Sequence, residues 1–349
     1  MGGNWAAVQV GGTLVANPQL TGFLLCVVSF ISTLLLTAKV RTWAWSRAVL
    51  DIPNSRSLHV VPTPRGGGLA IVVVVLTLEA WCLLRGIPLP GGWAGWGATL
   101  GLALIGLGDD LWSWSATWRF LWQWAVCAAW AIGTLDPALN WQSILVTVMI
   151  IVLMVWVVNL YNFMDGSDGL AATQAIGAGA IGGGLALWLG RADLAIIPLL
   201  VAGSSTGFLC WNWSPAKIFL GDVGSYFLGG QFAVLGVTTA RDAQLTWLWP
   251  ILLAPFVVDA TLTLIRRVLQ RERWHTAHRT HAYQLLVQAG WSHARLALGL
   301  AMILLLICLP FAIIAVCHPS LARYCVLFAY VLLATMWARI VFRPNERSA

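Results

Sequence analysis

Eleven apolar stretches follow one another along the chain, near residues 19–38, 67–84, 93–108, 119–133, 142–160, 170–190, 194–211, 223–240, 245–265, 296–316 and 323–342. A helix that crosses a hydrocarbon core needs about 20 mostly apolar residues. Inside lipid every backbone polar group must find a partner within its own segment or in a closed barrel, so unbroken apolar runs of this length predict helices. The expected fold is therefore an all-α polytopic integral membrane protein of ten or eleven transmembrane helices, forming one domain over residues 1–349. Composition agrees and excludes a soluble domain: 59% of residues are hydrophobic, 9% are charged and the mean hydropathy is +0.81.

Orientation follows from the basic residues, because cytoplasmic loops carry an excess of Lys and Arg. Of the 20 Lys and Arg, 16 fall in one set of alternate loops and only Arg85, Arg191, Arg241 and Arg323 in the other. This places the amino terminus outside, the carboxy terminus in the cytoplasm, and cytoplasmic loops near 39–66, 109–118, 161–169, 212–222 and 266–295. No basic stretch precedes the first apolar run, so that helix is expected to direct insertion itself. The net charge of +7 then belongs to one membrane face, where it serves topogenesis and draws anionic headgroups or phosphate-bearing substrates. Seven cysteines, an odd number without CxxC spacing, indicate neither a disulfide framework nor a zinc site.

The 13 acidic residues are scarce enough for their placement to inform. Asp109, Asp110, Asp165, Asp168 and Asp222 all fall at the predicted cytoplasmic ends of spans, whereas a transporter would hold its key charges near the midplane in broken helices. Asp259 and Glu79 alone read as intramembrane. The Asp109–Asp110 pair suits a metal or a proton in transit, or is a solvated loop pair, since neighbouring carboxylates repel unless a cation intervenes. In NLYNFMDGSDGLA, residues 159–171, Asn159, Asn162, Asp165 and Asp168 recur every third residue. Hard oxygen donors at such spacing suit Mg²⁺ rather than zinc. The turn FLGDVGS, residues 219–225, leads into a helix whose amides could receive phosphate while Asp222 holds a cation, or it is a cap. The stretch 266–295 combines Arg266, Arg267, Arg271, Arg273 and Arg279 with His275, His278 and His281. It reads as a diphosphate grip or as a positive-inside loop. PTPRGGG, residues 62–68, offers Arg65 and three glycines for backbone approach to phosphate or for close helix packing.

Together and in this order, PTPRGGG, GDD, NxxNFMDGSDGLA and FLGDVGS resemble the polyprenyl-phosphate N-acetylhexosamine-1-phosphate transferases, glycosyltransferase family 4, across essentially the whole chain. The chain is more similar to the type that initiates O-antigen or common-antigen glycans than to the peptidoglycan muramoyl-pentapeptide type. The resemblance implies that Asp109 and Asp110 lie near the attacking lipid phosphate, that Asp222 with Asn162 binds Mg²⁺, for which Mn²⁺ can substitute, and that Asp165 and Asp168 surround the nucleoside. It implies that Phe219 stacks on the uracil and Asn212 hydrogen-bonds it, and that Arg65, His278, Arg279 and His281 contact phosphate. The basic loop departs from the pattern, since Tyr283 and Gln284 stand where relatives carry adjacent histidines.

The implied reaction moves a sugar 1-phosphate from a UDP-N-acetyl sugar to undecaprenyl phosphate, releases UMP and begins a lipid-linked glycan such as O-antigen lipopolysaccharide in the bacterial inner membrane. The implied partners are those two substrates and a second copy of the chain, with no nucleic acid. Phosphoryl transfer is mostly positioning and charge neutralisation. An acceptor phosphate with a second pKa near 6 is already ionised at neutral pH, so Asp109 or Asp110 can act as base or as orienter. A transporter or flippase is the alternative from another class.

Overall fold

The structure, a computed structural model, describes residues 18–53, 61–135, 140–272 and 279–343. All eleven apolar stretches fall on helices: α1 (Pro18–Ser46), α2 (Gly68–Leu84), α3 (Gly92–Trp112), α4 (Ala116–Leu135), α5 (Trp141–Phe163), α6 (Leu170–Trp188), α7 (Ala192–Asn212), α8 (Gly221–Thr238), the pair α9 (Leu248–Leu252) and α10 (Ala254–Leu269), the rod α12 (His293–Ile303) and α13 (Leu309–Cys317), and α14 (Ala322–Val341). A short helix, α11 (Ala282–Gln288), lies between α10 and α12. Strands β1 (Leu50–Asp51) and β2 (Thr63–Pro64) pair antiparallel, Leu50 opposite Pro64. Among the described residues six helical segments are long and apolar enough to cross a membrane: α1, α5, α6, α7, the α12–α13 rod and the segment ending in α14. The chain is thus an all-α polytopic membrane protein.

Two interruptions have local causes. Pro255 in the first turn of α10 lacks the amide that would extend α9. Pro310 likewise follows the single π-helical turn Leu304–Cys308 that joins α12 to α13. Three expected loop bounds move. α1 runs on to Ser46, so Lys39 and Arg41 are helical. α3 runs to Trp112 and α8 starts at Gly221, so Asp109, Asp110 and Asp222 sit on helix ends rather than in loops.

α8 is the central post. Every residue from Val223 to Leu235 is buried, as expected of a helix apolar on all sides. Van der Waals packing, rather than expulsion of water, holds helices together in lipid, and small residues let backbones approach. A Cβ at Gly68 would lie 2.3 Å from the Gly224 Cα, and one at Gly106 would lie 2.2 Å from the Asp222 carbonyl oxygen. α2 and α3 therefore press directly against the start of α8, where Asp222 stands. Two polar ties add to this core: Gln231 donates to Glu79 at 2.8 Å in the buried contact of α8 with α2, and the half-buried Asn159 donates to Gln123 at 2.7 Å across α5 and α4. Both groups have local partners, so neither Glu79 nor Asn159 joins the acidic cluster described below.

Gly106→Ala should destabilise the protein by about 1–3 kcal/mol through overpacking. Gly97→Ala, on the same helix with nothing within 4 Å of its added Cβ, should be neutral or stabilising by up to about 1 kcal/mol. Thermal unfolding in detergent distinguishes the two, and equal responses would contradict the close approach of α3 to α8.

Candidate active site

The first amides of a helix have no intrahelical partners. At α8 they are met by Asp110, whose Oδ1 accepts from the Asp222 amide at 3.2 Å and whose Oδ2 accepts from the Val223 amide at 3.1 Å. Gly221, at φ +76°, makes the approach possible, since a Cβ there would fall 2.5 Å from Asp110 Oδ2 and 2.8 Å from the Gly66 amide nitrogen. Arg65 closes the other side, its Nη2 donating to the Asp110 carbonyl at 2.7 Å. The GDVGS turn therefore gives these amides to a carboxylate of its own chain, not to a phosphate as the cradle reading expects. Asp110 is a positioning group in this arrangement.

Asp222, in the first turn of α8, is held from two sides. Asn162 Nδ2, at the end of α5, donates to its Oδ1 at 2.8 Å and to Ser225 Oγ at 3.0 Å. Arg119 Nη1, from the start of α4, donates to Asp222 Oδ2 at 2.9 Å and to Asp109 Oδ2 at 2.7 Å. Three of the four motifs thus meet around Arg119, a residue that motif reading overlooks, and the fourth joins them through Arg65 on Asp110. The signal for Arg119 is present in the sequence, because it is the one charged residue of α4, yet a positive-inside tally absorbs it.

Asp109 and Asp110 lie past the apolar stretch 93–108, outside the spanning segment. Burial, and then the hydrogen bond and charge of Asp222, raise the Asp109 pKa to about 6 against the pull of Arg119 and Arg65. Burial and the charge of Asp222 raise Asp110 to about 7, against its backbone hydrogen bonds and Arg65. Burial, with the charges of Asp222, Asp110 and Asp168, raises Asp165 well above the carboxylate range. Four carboxyl groups thus share two guanidiniums, and the raised pKa values of three of them mark a place where a further cation would displace protons.

The fit to Mg²⁺ can be judged from the donors. Among the described residues no three His, Cys, Asp or Glu side chains form a preformed cage. Mg²⁺ does not need one, since it keeps several waters and takes one or two carboxylates plus substrate phosphate. Asp222, Asp109 and the Asn162 amide are hard oxygen donors, and Arg119 already places a positive group between the two carboxylates. The residues fit.

Beside this cluster the loops 164–169 and 213–220 lie against each other. Asp168 Oδ2 accepts from the Ala216 amide at 3.1 Å. His293 Nδ1 lies 2.7 Å from Ser167 Oγ and accepts from the Asp168 amide at 3.3 Å. Asn212 is buried, accepting from the Gly169 amide at 2.9 Å and donating to the Ile218 carbonyl at 2.9 Å. Both ends of its side chain thus bind scaffold, an arrangement that differs from the uracil contact the resemblance implies. Phe219 is half-buried, its backbone tied to Pro64 and Gly67 at 2.8 Å each.

The basic loop reaches the same end of the bundle through Asp259. Its Oδ1 accepts from the Ala282 amide at 2.9 Å and its Oδ2 from the Tyr283 amide at 3.2 Å. Asp259 is therefore a cap for α11 rather than a lone intramembrane charge. Gln284 accepts from the His281 amide at 3.3 Å, and Tyr283 donates to the Phe163 carbonyl at 3.1 Å. The two residues that depart from the histidine pattern thus shape α11 and dock it on the 163–166 turn. His281 is buried with Nδ1 3.5 Å from Asp259 Oδ1. Arg279 is half-buried, and His278, His275 and Arg273 lie outside the described residues.

A helical membrane bundle with this acidic cluster at its helix ends is a member of glycosyl transferase family 4, whose model matches residues 93–240. Among curated relatives, the chain is 30% identical over 343 residues, covering 92% of each protein, to the probable undecaprenyl-phosphate N-acetylglucosaminyl 1-phosphate transferase of Bacillus subtilis. It is 32% identical over 320 residues, covering 77% of this chain and 76% of the other, to the decaprenyl-phosphate N-acetylglucosaminephosphotransferase of Mycobacterium tuberculosis. With the phospho-N-acetylmuramoyl-pentapeptide-transferase of Symbiobacterium thermophilum the match is 34% over 153 residues, 42% of this chain.

The raised carboxyls give a testable pH dependence. Between pH 4 and 7 the native state keeps protons on Asp109 and Asp110 that the unfolded chain has released, so their contribution makes stability fall as pH rises through this window. Thermal unfolding in EDTA should show that slope, and Asp109→Asn should flatten its lower part. An unchanged slope in the variant would contradict the raised pKa of Asp109.

Proposed function

We propose that the chain transfers N-acetylhexosamine 1-phosphate, with N-acetylglucosamine as the first choice of sugar, from its UDP derivative to undecaprenyl phosphate, releasing UMP and starting a lipid-linked glycan. The observation that carries this reading is the Asp109–Arg119–Asp222–Asn162 cluster, set at one end of a bundle related along nearly its whole length to polyprenyl-phosphate sugar-phosphate transferases. The site face is read as cytoplasmic in a bacterial inner membrane, in keeping with the charge asymmetry of the loops.

Asp222, with Asn162 and Asp109 beside it, is the proposed holder of Mg²⁺, which when bound neutralises charge on the diphosphate. Asp110 sets Asp222 by fixing the first turn of α8. Arg279 and His281, carried on the loop docked over residues 163–166, draw the diphosphate to the same end of the bundle. Asp168 and Phe219, on the two apposed loops, are the proposed nucleoside contacts. Asn212 supports them through Gly169 and Ile218. The oxygen of the lipid phosphate attacks the phosphorus next to the sugar, the bond to the bridging oxygen breaks and UMP leaves. The nucleophile is already ionised at neutral pH, so Asp109 chiefly orients it and accepts a residual proton.

Purified protein with Mg²⁺, undecaprenyl phosphate and UDP-N-acetylglucosamine or its 6-deoxy relatives should release UMP only when lipid and cation are both present. No UMP release with any of these donors, from folded protein, would overturn the assignment and favour a transport role. Asp222→Ala should lower kcat by about 10²-fold or more, the size expected for loss of a group that stabilises transition-state charge, while membrane insertion is unchanged. Full activity in that variant would remove Asp222 from the site.

A further inference from the structure

Of the described histidines, His293 alone stands against the site without a part in the reaction proposed above. It is the first residue of α12, directly after the Ser292 cap, whose Oγ accepts from the Arg295 amide at 3.2 Å. Its backbone is thereby fixed where the chain returns from the basic loop. Nδ1 lies 2.7 Å from Ser167 Oγ and 3.3 Å from the Asp168 amide nitrogen. Accepting from the amide requires a lone pair on Nδ1, which puts the ring proton on Nε2 and makes the Ser167 hydroxyl the second donor.

Residues 167–169 need such acceptors. α6 begins at Leu170, and Gly169 before it, at φ +71°, brings no side-chain cap, so the Asp168 and Gly169 amides lie outside the helical ladder. The first goes to His293 from α12, the second to Asn212 Oδ1 from the end of α7 at 2.9 Å. Without acceptors these half-buried donors would carry the desolvation cost of unmade bonds. The Asp168 side chain is aimed as a result: its Oδ2 is held by the Ala216 amide at 3.1 Å, while its Oδ1 takes no hydrogen bond among the described residues. Earlier residues of the same turn meet the other end of the basic segment. Tyr283 donates to the Phe163 carbonyl at 3.1 Å, and its hydroxyl fills the space where a Cβ on Gly166 would stand. Residues 281–293 thus straddle the turn. We infer that His293 is a positioning residue of the nucleoside subsite, which through Ser167 and the Asp168 amide aims the Asp168 carboxylate and sets the nucleoside turn against the segment that draws the diphosphate. This inference rests on the transferase reading, in which Asp168 meets the nucleoside, and adds the residue that places it. Acting through the turn rather than on the reacting atoms, His293 contributes equally to ground and transition states, so its loss raises KM and leaves kcat.

The test uses the purified full-length protein with Mg²⁺, undecaprenyl phosphate and UDP-N-acetylglucosamine. His293→Leu removes the acceptor and should raise the KM for the UDP-sugar about tenfold, with kcat and the KM for undecaprenyl phosphate within about twofold of wild type. His293→Asn keeps an acceptor at the δ position and should bring that KM back to within about threefold of wild type. Ser167→Ala, a smaller change at a buried residue, should raise it about threefold and decides the matter if the leucine variant does not fold. A further measurement is independent of turnover: amide hydrogen exchange in the peptide 164–170 should quicken in His293→Leu and recover in His293→Asn. An unchanged UDP-sugar KM in His293→Leu and Ser167→Ala while Asp168→Ala raises it, a fall in kcat at unchanged KM, or no recovery in His293→Asn would overturn the inference. Asp168→Ala with an unchanged UDP-sugar KM would overturn the nucleoside reading beneath it instead, and exchange in the peptide would then still show whether His293 holds the turn.

Discussion

The carboxylate of Asp110 on the first amides of α8 is the contact on which the rest of the site depends. It satisfies two donors that a buried helix start would otherwise leave unpaired, at a cost of about 1–3 kcal/mol each, and it does so with a charge placed at the positive end of the helix. The contact joins α3 to α8 and, through Arg65, brings the glycine-rich segment 65–68 to the same point. Gly221, Gly68 and Gly106 are the steric conditions for it, because a side chain on any of them would push the partners apart. Once α8 is fixed in this way, Asp222 has one place to be.

Around that fixed carboxylate the protein gathers charge that does not balance. Arg119 spans Asp109 and Asp222, but burial and the charge of Asp222 still raise Asp110, and burial with Asp222, Asp110 and Asp168 raises Asp165. Such a cluster is costly in the resting protein and useful in a site that must attract a cation and a diphosphate together. The neighbouring loops have a different character. Asn212, Asp168, Ser167 and His293 hold backbone to backbone, giving a rigid cleft beside the acidic cluster, and Asp259 reaches out of α10 to set the basic loop above both. Polar groups that look isolated along the chain are thus joined in short chains of hydrogen bonds.

Much of the fold was legible because lipid imposes a simple rule: runs of about 20 apolar residues become helices, and all eleven did. The acidic motifs were legible for a related reason, since charges are scarce and those at span ends stand out. What the chain did not reveal were partnerships across long separations. Arg119 and Asp222 are 103 positions apart, and only packing of α4 against the rest of the bundle makes them neighbours. Asn159 shares its spacing with Asn162 but turns to Gln123, a difference of helix face that a three-residue periodicity hides. Asp259 looked like a charge within a span because the helix it caps, α11, begins 23 positions further along the chain. Asn212, which the resemblance places against the uracil, has both ends of its side chain engaged by Gly169 and Ile218 in this structure.

The central claim is that the carboxylates around the start of α8 are where cation and diphosphate meet. The direct measurement is an electron cryo-microscopy structure of the protein with Mg²⁺ and UDP-N-acetylglucosamine. The account predicts a metal about 2.0–2.1 Å from an Asp222 oxygen, with Arg119 withdrawn from at least one of its two carboxylates and the diphosphate lying between Asp222 and the loop that carries His281. A nucleotide bound with its diphosphate and metal away from Asp222, and the Arg119 bridge intact, would contradict it.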